Sequence, residues 1–171
     1  DILSEPKPDT DTPYPTAIWH YARALARVAR GELDRARTEL AAIERLRGDA
    51  AFATTLAATA LPMNLDIAML EVRSAIALGA GDMDAAIDAA RKAVALQDTM
   101  PYSEPALWHR PVRLQLGQAL LDAGKAAEAE AVYREEIRRQ PENGWGLFGL
   151  WKSLEAQGRA DDARAVRARF E

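Results

Sequence analysis

Hydrophobic residues recur at the three- and four-residue spacing of amphipathic helices along most of this chain. Glycine or proline separates the helical segments, as it does where helices end. The segments group into pairs, each joined by a short turn at a glycine. We therefore expect an all-α fold, with helix pairs over about residues 17–47, 64–97, 111–139 and 143–171.

One pattern of residue types returns after 34 residues: Gly124 and Ala129 recur as Gly158 and Ala163. This interval and these residue types resemble the tetratricopeptide (TPR) repeat, a helix–turn–helix unit in which we expect glycine and alanine where helices cross closely. The same glycine and alanine spacing also occurs, at wider intervals, at Gly31 and Ala36 and at Gly81 and Ala86.

The resemblance implies a right-handed α-solenoid of about four antiparallel helix pairs, with the first helix of each pair lining a concave groove. Residues 20–23, 101–113, 130–135 and 141–150 are also similar to the C-terminal part of longer bacterial TPR proteins of unassigned function. This second resemblance implies that the chain is the C-terminal portion of a larger solenoid. It brings no established catalytic residue with it.

The first 16 residues contain four prolines and few apolar side chains, which predicts an extended lead-in or linker before a TPR domain at 17–171. Because the chain starts at Asp1 without a methionine, we expect it to be a fragment, a processed product or a trimmed chain. Residues 49–62 fit a loose helix and an ordered loop equally well.

The composition narrows the classes of partner. The net charge of −4 argues against nucleic acid as a general partner, and no apolar run is long enough for membrane insertion. The lack of cysteine excludes disulfides and cysteine-ligated zinc without fixing the compartment. We find no nucleophile elbow, phosphate loop or zincin motif, so the sequence predicts a non-enzymatic protein without a cofactor.

The segment 99–111 exceeds the repeat length and concentrates prolines and aromatic residues. Stiff aromatic loops on a rigid scaffold are common recognition sites. Its candidate ligand-binding residues are Tyr102, Glu104, Trp108 and Arg110. The alternative is that the segment covers an exposed end of the core, with Trp108 as the plug.

A basic stripe is predicted on the first helix, where His20, Arg23, Arg27 and Arg30 step by three or four residues. Arginines in such a stripe can hold a carboxylate of a ligand. The alternatives are that the stripe is a solvated face, or that its arginines form ion pairs with acidic residues of the next helix, such as Glu71.

The favoured hypothesis is a scaffold that binds a peptide or protein segment in its groove. The side chains expected to line the groove are Tyr21, Arg23, Gln118, Trp145 and Phe148. For Phe148 the alternative is packing between repeats.

A second hypothesis is a small-ligand or metal pocket between the first helix and the 99–111 segment, with His20 and His109 as the metal ligands. A third hypothesis is a homo-oligomer formed through an exposed N-terminal end, where Ile18 and Trp19 would lie in the subunit contact.

Overall fold

The computed structural model describes residues 2–48 and 60–171, and the regular secondary structure of these residues is entirely α-helical. The expected all-α class is therefore confirmed for this part of the chain. The contacts divide the chain into an N-terminal unit, Asp1–His109, and a C-terminal unit, Arg110–Glu171. The described helices are α1 (Pro13–Ala29), α2 (Leu33–Arg47), α3 (Ala60–Gly79), α4 (Met83–Asp98), α5 (Arg113–Asp122), α6 (Ala126–Arg139), α7 (Gly144–Ala156) and α8 (Ala160–Phe170).

The turn within each helix pair contains a glycine with a positive φ, between 72° and 80°. A Cβ atom added to any of these four glycines would meet nothing within 4 Å, so the expectation that they mark close helix crossings is wrong. They are needed because only glycine adopts this backbone conformation without strain. The alanines five residues later are buried: Ala36, Ala86, Ala129 and Ala163.

In the N-terminal unit, α1 packs against α2 and α3, while α3 also packs against α2 and α4. The interior is aliphatic, with Ile43, Leu65 and Ile87 almost fully buried. Such burial typically contributes about 1.5–3 kcal/mol per large side chain. The pairs are thus held together by α3, which contacts every other helix of the unit.

Helix α1 begins at Pro13, within the segment expected to be an extended linker up to residue 16. Two prolines lie in its first turn, where a missing backbone N–H costs nothing. Thr16 and Ala17 are already buried. The predicted boundary at residue 16 is therefore wrong by about one helical turn. Proline disfavours the interior of a helix but is favoured in its first turn, where these two prolines lie.

In the C-terminal unit, α5 packs against α6, α6 against α7 and α7 against α8, and α7 also contacts α5. Leu120, Leu147 and Leu154 form its most deeply buried aliphatic interior. Each pair is again a hairpin around a glycine turn, at Gly124 and at Gly158. The hairpin α7–α8 thus repeats α5–α6.

The ambiguous segment 49–62 falls largely outside the described residues, and α3 is helical from Ala60 onward. In the described ranges, no helix combines the length and the apolar character needed to cross a membrane.

Candidate functional site

The predicted basic stripe on α1 is held by a carboxylate from α2. Glu39 contacts His20 Nδ1 at 2.6 Å and accepts hydrogen bonds from Arg23 Nε at 3.0 Å and Arg27 Nε at 3.1 Å. These contacts match the ion-pair alternative, and the acidic partner is Glu39 on the adjacent helix of the same hairpin. These side chains therefore already hold a carboxylate, and it belongs to the protein itself.

Glu39 is largely buried, and its surroundings favour the charged form. Burial by itself raises the pKa of Glu39, but the hydrogen bonds from His20, Arg27 and Arg23 outweigh it, so the net pKa is lowered. The three donors thus stabilise the carboxylate against its loss of solvation. Beside this cluster lies a cleft of about 270 Å³, to which Arg35 and Arg45 add further positive charge.

Arg23 and Trp19 anchor the proline-rich lead-in to α1. Arg23 Nη1 donates to the Leu3 carbonyl at 2.8 Å, and Trp19 Nε1 donates to the Glu5 carbonyl at 3.2 Å. The Arg23 guanidinium also stacks over the Trp19 ring, 4.3 Å from its centroid. Arg23 was predicted to line the groove, and Trp19 was predicted to lie in a subunit contact. Both side chains instead bond to residues of their own N-terminal unit.

A buried carboxylate joins α1, α3 and the segment after α4. Glu71 of α3 accepts hydrogen bonds from the Tyr21 hydroxyl at 2.8 Å and from Trp108 Nε1 at 3.1 Å. The rings of Tyr21 and Trp108 also meet edge to face at 5.5 Å. Trp108 is only 4% exposed, so its ring fills the interior of the unit, as the plug interpretation describes.

A second polar contact fixes the same segment. Asn64 of α3 donates to the Leu107 carbonyl at 2.8 Å and to the Tyr14 hydroxyl at 3.1 Å. Asn64 was not singled out by the sequence, where an isolated asparagine near the start of a helix resembles any polar surface residue. Asn64 is buried, and its amide satisfies the Leu107 carbonyl, which would otherwise lack a hydrogen-bond donor.

The tip of the segment stays in solvent. Tyr102 is 87% exposed, and its hydroxyl donates to Glu104, which raises the pKa of Tyr102. Arg110 lies in the C-terminal unit, where its Nη2 is 3.4 Å from Gln115 Oε1. Of the four predicted ligand-binding residues, Trp108 is buried and Tyr102 and Glu104 are exposed. The fourth, Arg110, belongs to the other unit.

The two histidines have different surroundings. His20 is bound to Glu39, whereas the His109 ring lies 5.9 Å from the Tyr21 ring and 4.6 Å from the Trp108 ring. Within residues 2–48 and 60–171, no group of three or more histidine, cysteine or acidic side chains is arranged to hold a metal ion. The described residues thus offer no support for a metal site at these histidines.

In the C-terminal unit, the predicted groove residues lie on the first helices of the two pairs. Trp145 on α7 is 75% exposed, and Gln118 on α5 is exposed with its amide bonded to Asp122 at 2.8 Å. Phe148 is half-buried in a cluster with Trp151 and Phe170, at ring distances of 5.5 and 5.7 Å. Trp145 is therefore the predicted groove residue with the largest accessible apolar surface.

The close approach of α7 to the preceding pair depends on two glycines that were not expected to matter together. A Cβ on Gly117 or on Gly149 would lie 2.4 or 2.2 Å from the Tyr133 ring. The ring of Tyr133 thus occupies the space that a side chain on either helix would need. Burial raises the pKa of Tyr133 to about 12. The spacing of these glycines relative to Tyr133 is the only sequence signal for this contact.

A buried carboxyl group lies at the start of the same contact. Glu136 of α6 accepts a hydrogen bond from Asn143 at 2.9 Å. Burial raises the pKa of Glu136, although the Asn143 bond and the charges of Arg113 and Arg139 oppose it. The carboxyl group thus links α6 to the residue that caps α7.

Protein-family models, curated proteins and solved structures were compared with this chain, and none of them matched.

Proposed function

We propose that this chain is a non-enzymatic TPR-type scaffold whose first helices bind a peptide or protein segment. The observation that supports the TPR arrangement is the recurrence of one local geometry in four hairpins. Each hairpin turns at a glycine with positive φ and buries an alanine five residues later. The right-handed superhelix with a concave inner wall is part of this proposal.

The C-terminal unit supplies the binding contact in this proposal. Trp145 is exposed on α7, and Gln118 is exposed on α5, which packs against α7. By contrast, Tyr21 and Trp108 are buried around Glu71 in the N-terminal unit. An exposed tryptophan on a rigid helix offers a large contact area at a small cost in rotamer entropy, which is typical of residues that dominate binding.

The test is selection of peptides from a random 12-residue display library against the intact chain, followed by affinity measurement with labelled synthetic peptides. We expect Trp145→Ala to weaken the selected peptides by about tenfold or more, as loss of a central aromatic contact does. The matched control is Tyr102→Ala, which removes another exposed aromatic side chain but from the N-terminal unit.

Circular dichroism shows whether each variant keeps its helices. If no peptide is enriched, or if both variants weaken the peptides equally while remaining folded, a groove centred on Trp145 is wrong.

A further inference from the structure

Helix α7 packs against one face of the α5–α6 hairpin, which is formed by residues of α6. Gly149 lies against the Tyr133 ring, and Gly146 lies against Ile137 and Glu136. At the other end of α7, Gln157 donates to Glu130 at 2.8 Å and lies 3.4 Å from the Ala126 carbonyl. The hairpin α5–α6 therefore receives the next helix along one side of α6.

The same face exists on the α7–α8 hairpin. The two hairpins turn at Gly124 and Gly158, with φ of 72° and 74°, and their sequences superpose with a shift of 34 residues. Under this shift Gly117 corresponds to Trp151, and Tyr133 corresponds to Arg167. Gly117 meets Tyr133 in the first hairpin, and the Arg167 guanidinium lies 4.9 Å from the Trp151 ring in the second. The contact is thus conserved in position while the residue types differ.

On the second hairpin, this face is exposed to solvent in the described part of the chain. We name it the C-terminal aromatic face and define it by Trp151, Arg164, Arg167 and Phe170. A cleft of about 350 Å³ runs along it beside Ala160 and Ala163. Phe170 is 42% exposed, and the side chains of Arg164 and Arg167 are 74% and 52% exposed. The face has the shape that receives a helix in the preceding hairpin, and its side chains are accessible to solvent.

The charge of the two faces is opposite at one corresponding position. Glu130, which is bound by Gln157 and Arg159, corresponds to Arg164. Lys152 adds a second cation over the Trp151 ring, at 4.2 Å from its centroid. Where α6 presents a carboxylate to α7, α8 thus presents guanidinium groups to its own occupant.

The cations of this face are available because their present partners bind weakly. Arg164 pairs with Asp161, and Arg167 pairs with Glu171, in both cases one turn away on exposed α8. Lys152 pairs with Glu155, which also borders the cleft. Exposed pairs of this kind contribute little to stability. A carboxylate on an incoming helix can therefore replace them, and desolvation beside the aromatic rings strengthens its contact with arginine.

From these contacts we propose that the C-terminal aromatic face docks an acidic amphipathic helix of a partner protein. The apolar side of that helix packs on Trp151 and Phe170, and its glutamate or aspartate side chains meet Arg164 and Arg167. A second copy of the chain docking through the same face is disfavoured, because the arginines of the two copies would face each other. This site is separate from the peptide groove around Trp145 and does not depend on it.

The probe is a fluorescein-labelled helical peptide of about 18 residues, or five turns, with a leucine stripe flanked by glutamates. The control probe has lysine in place of every glutamate. Fluorescence anisotropy is measured with the intact chain at low and at physiological salt. We expect the acidic peptide to bind about tenfold or more tightly than the basic one, with a preference that decreases as salt screens the charges.

Two protein variants locate the binding. Arg167→Glu should weaken the acidic peptide by about tenfold, since it reverses one charge on the face. Its control is Arg138→Glu, an exposed arginine on α6 that also pairs with a glutamate one turn away, and it should bind like the wild type. Phe170→Ala should weaken both probes.

Equal binding of the two probes would overturn the proposal, as would equal effects of Arg167→Glu and Arg138→Glu in variants that retain their helical circular dichroism. Sedimentation velocity supplies a further check. If the chain forms dimers that Phe170→Ala dissociates, the occupant is a second copy and the acidic partner helix is wrong.

Discussion

Trp108 in the N-terminal unit and Trp151 in the C-terminal unit both lie beside charged side chains, but the charges differ in sign and in burial. The indole N–H of Trp108 donates to the buried Glu71 carboxylate. The ring of Trp151 lies under the exposed cations of Lys152 and Arg167. A buried acceptor fixes an aromatic ring inside the fold, whereas exposed cations over a ring leave it accessible to a ligand that carries the opposite charge.

The arginines show the same contrast. Arg23 and Arg27 share the largely buried Glu39, so the protein itself supplies their carboxylate partner. Arg164 and Arg167 form ion pairs with exposed carboxylates within or directly after their own helix. Arginine-rich surface patterns that look alike in sequence are therefore structural in one unit and open to binding in the other.

The largest expected effect concerns Glu71. Glu71→Ala removes the acceptor of both Tyr21 and Trp108 and leaves a cavity, so the free energy of unfolding should fall by about 3–5 kcal/mol. Urea unfolding measures this loss. The control Glu44→Ala removes an exposed carboxylate and should change stability by about 0.5 kcal/mol or less.

The emission of Trp108 gives an independent readout, in a background where the other three tryptophans are phenylalanine. Emission that does not move to longer wavelength in Glu71→Ala would show that the carboxylate does not hold the ring in place.

The next effect concerns the packing of the C-terminal unit. Gly149→Ala places a methyl group against the Tyr133 ring, so the unfolding free energy should fall by about 3 kcal/mol, the upper end of the usual cost of overpacking. Displacement of the ring should also lower the Tyr133 pKa from about 12 towards 10, as followed by ultraviolet absorbance.

Gly144→Ala, at the start of the same helix, is the control for this packing contact. Its Cβ would lie 3.9 Å from Phe170, an ordinary contact distance. Equal stability of the two variants would contradict the close approach of α7 to Tyr133.

A smaller effect is expected at Glu39. Glu39→Gln should cost about 2 kcal/mol at pH 7, below the usual range for breaking a buried pair because its partners retain some exposure. Since the pKa of Glu39 is lowered in the folded state, its stabilisation is present above the unfolded value of 4.5 and is lost as the pH falls through the folded value. The difference in unfolding free energy between wild type and variant should therefore shrink as the pH is lowered below 4.5, as measured by urea unfolding.

The smallest effect is expected on the C-terminal aromatic face. Arg167→Glu and Arg138→Glu each break one exposed pair, so the midpoint of thermal unfolding should change by only about 2 °C in either variant. A large destabilisation by Arg167→Glu alone would show that the face is part of the fold and not open for docking.

The helices and turns were predictable because their causes are local. The spacing of apolar residues located all four pairs, and glycine marked each turn. The start of α1 was misplaced because proline disfavours a helix interior but favours a first turn, and the sequence alone does not separate the two at Pro13.

The candidate site was predictable only in part. The position of Trp145 on a first helix followed from periodicity, and the exposure of its ring did not. The sequence allowed Trp108 to be either a ligand-binding residue or a plug. In the structure it is buried, and its N–H donates to Glu71. Glu39 was missed, since its partners are 12 to 19 positions away in the chain.

The sequence by itself determined that this protein is helical, where its hairpins turn and which side chains carry its charge, because these properties depend on neighbours within a few residues. Only the tertiary structure decided which aromatic and basic side chains are internal. That outcome depends on which carboxylate is brought within hydrogen-bonding distance, and the packing of whole helices determines those distances.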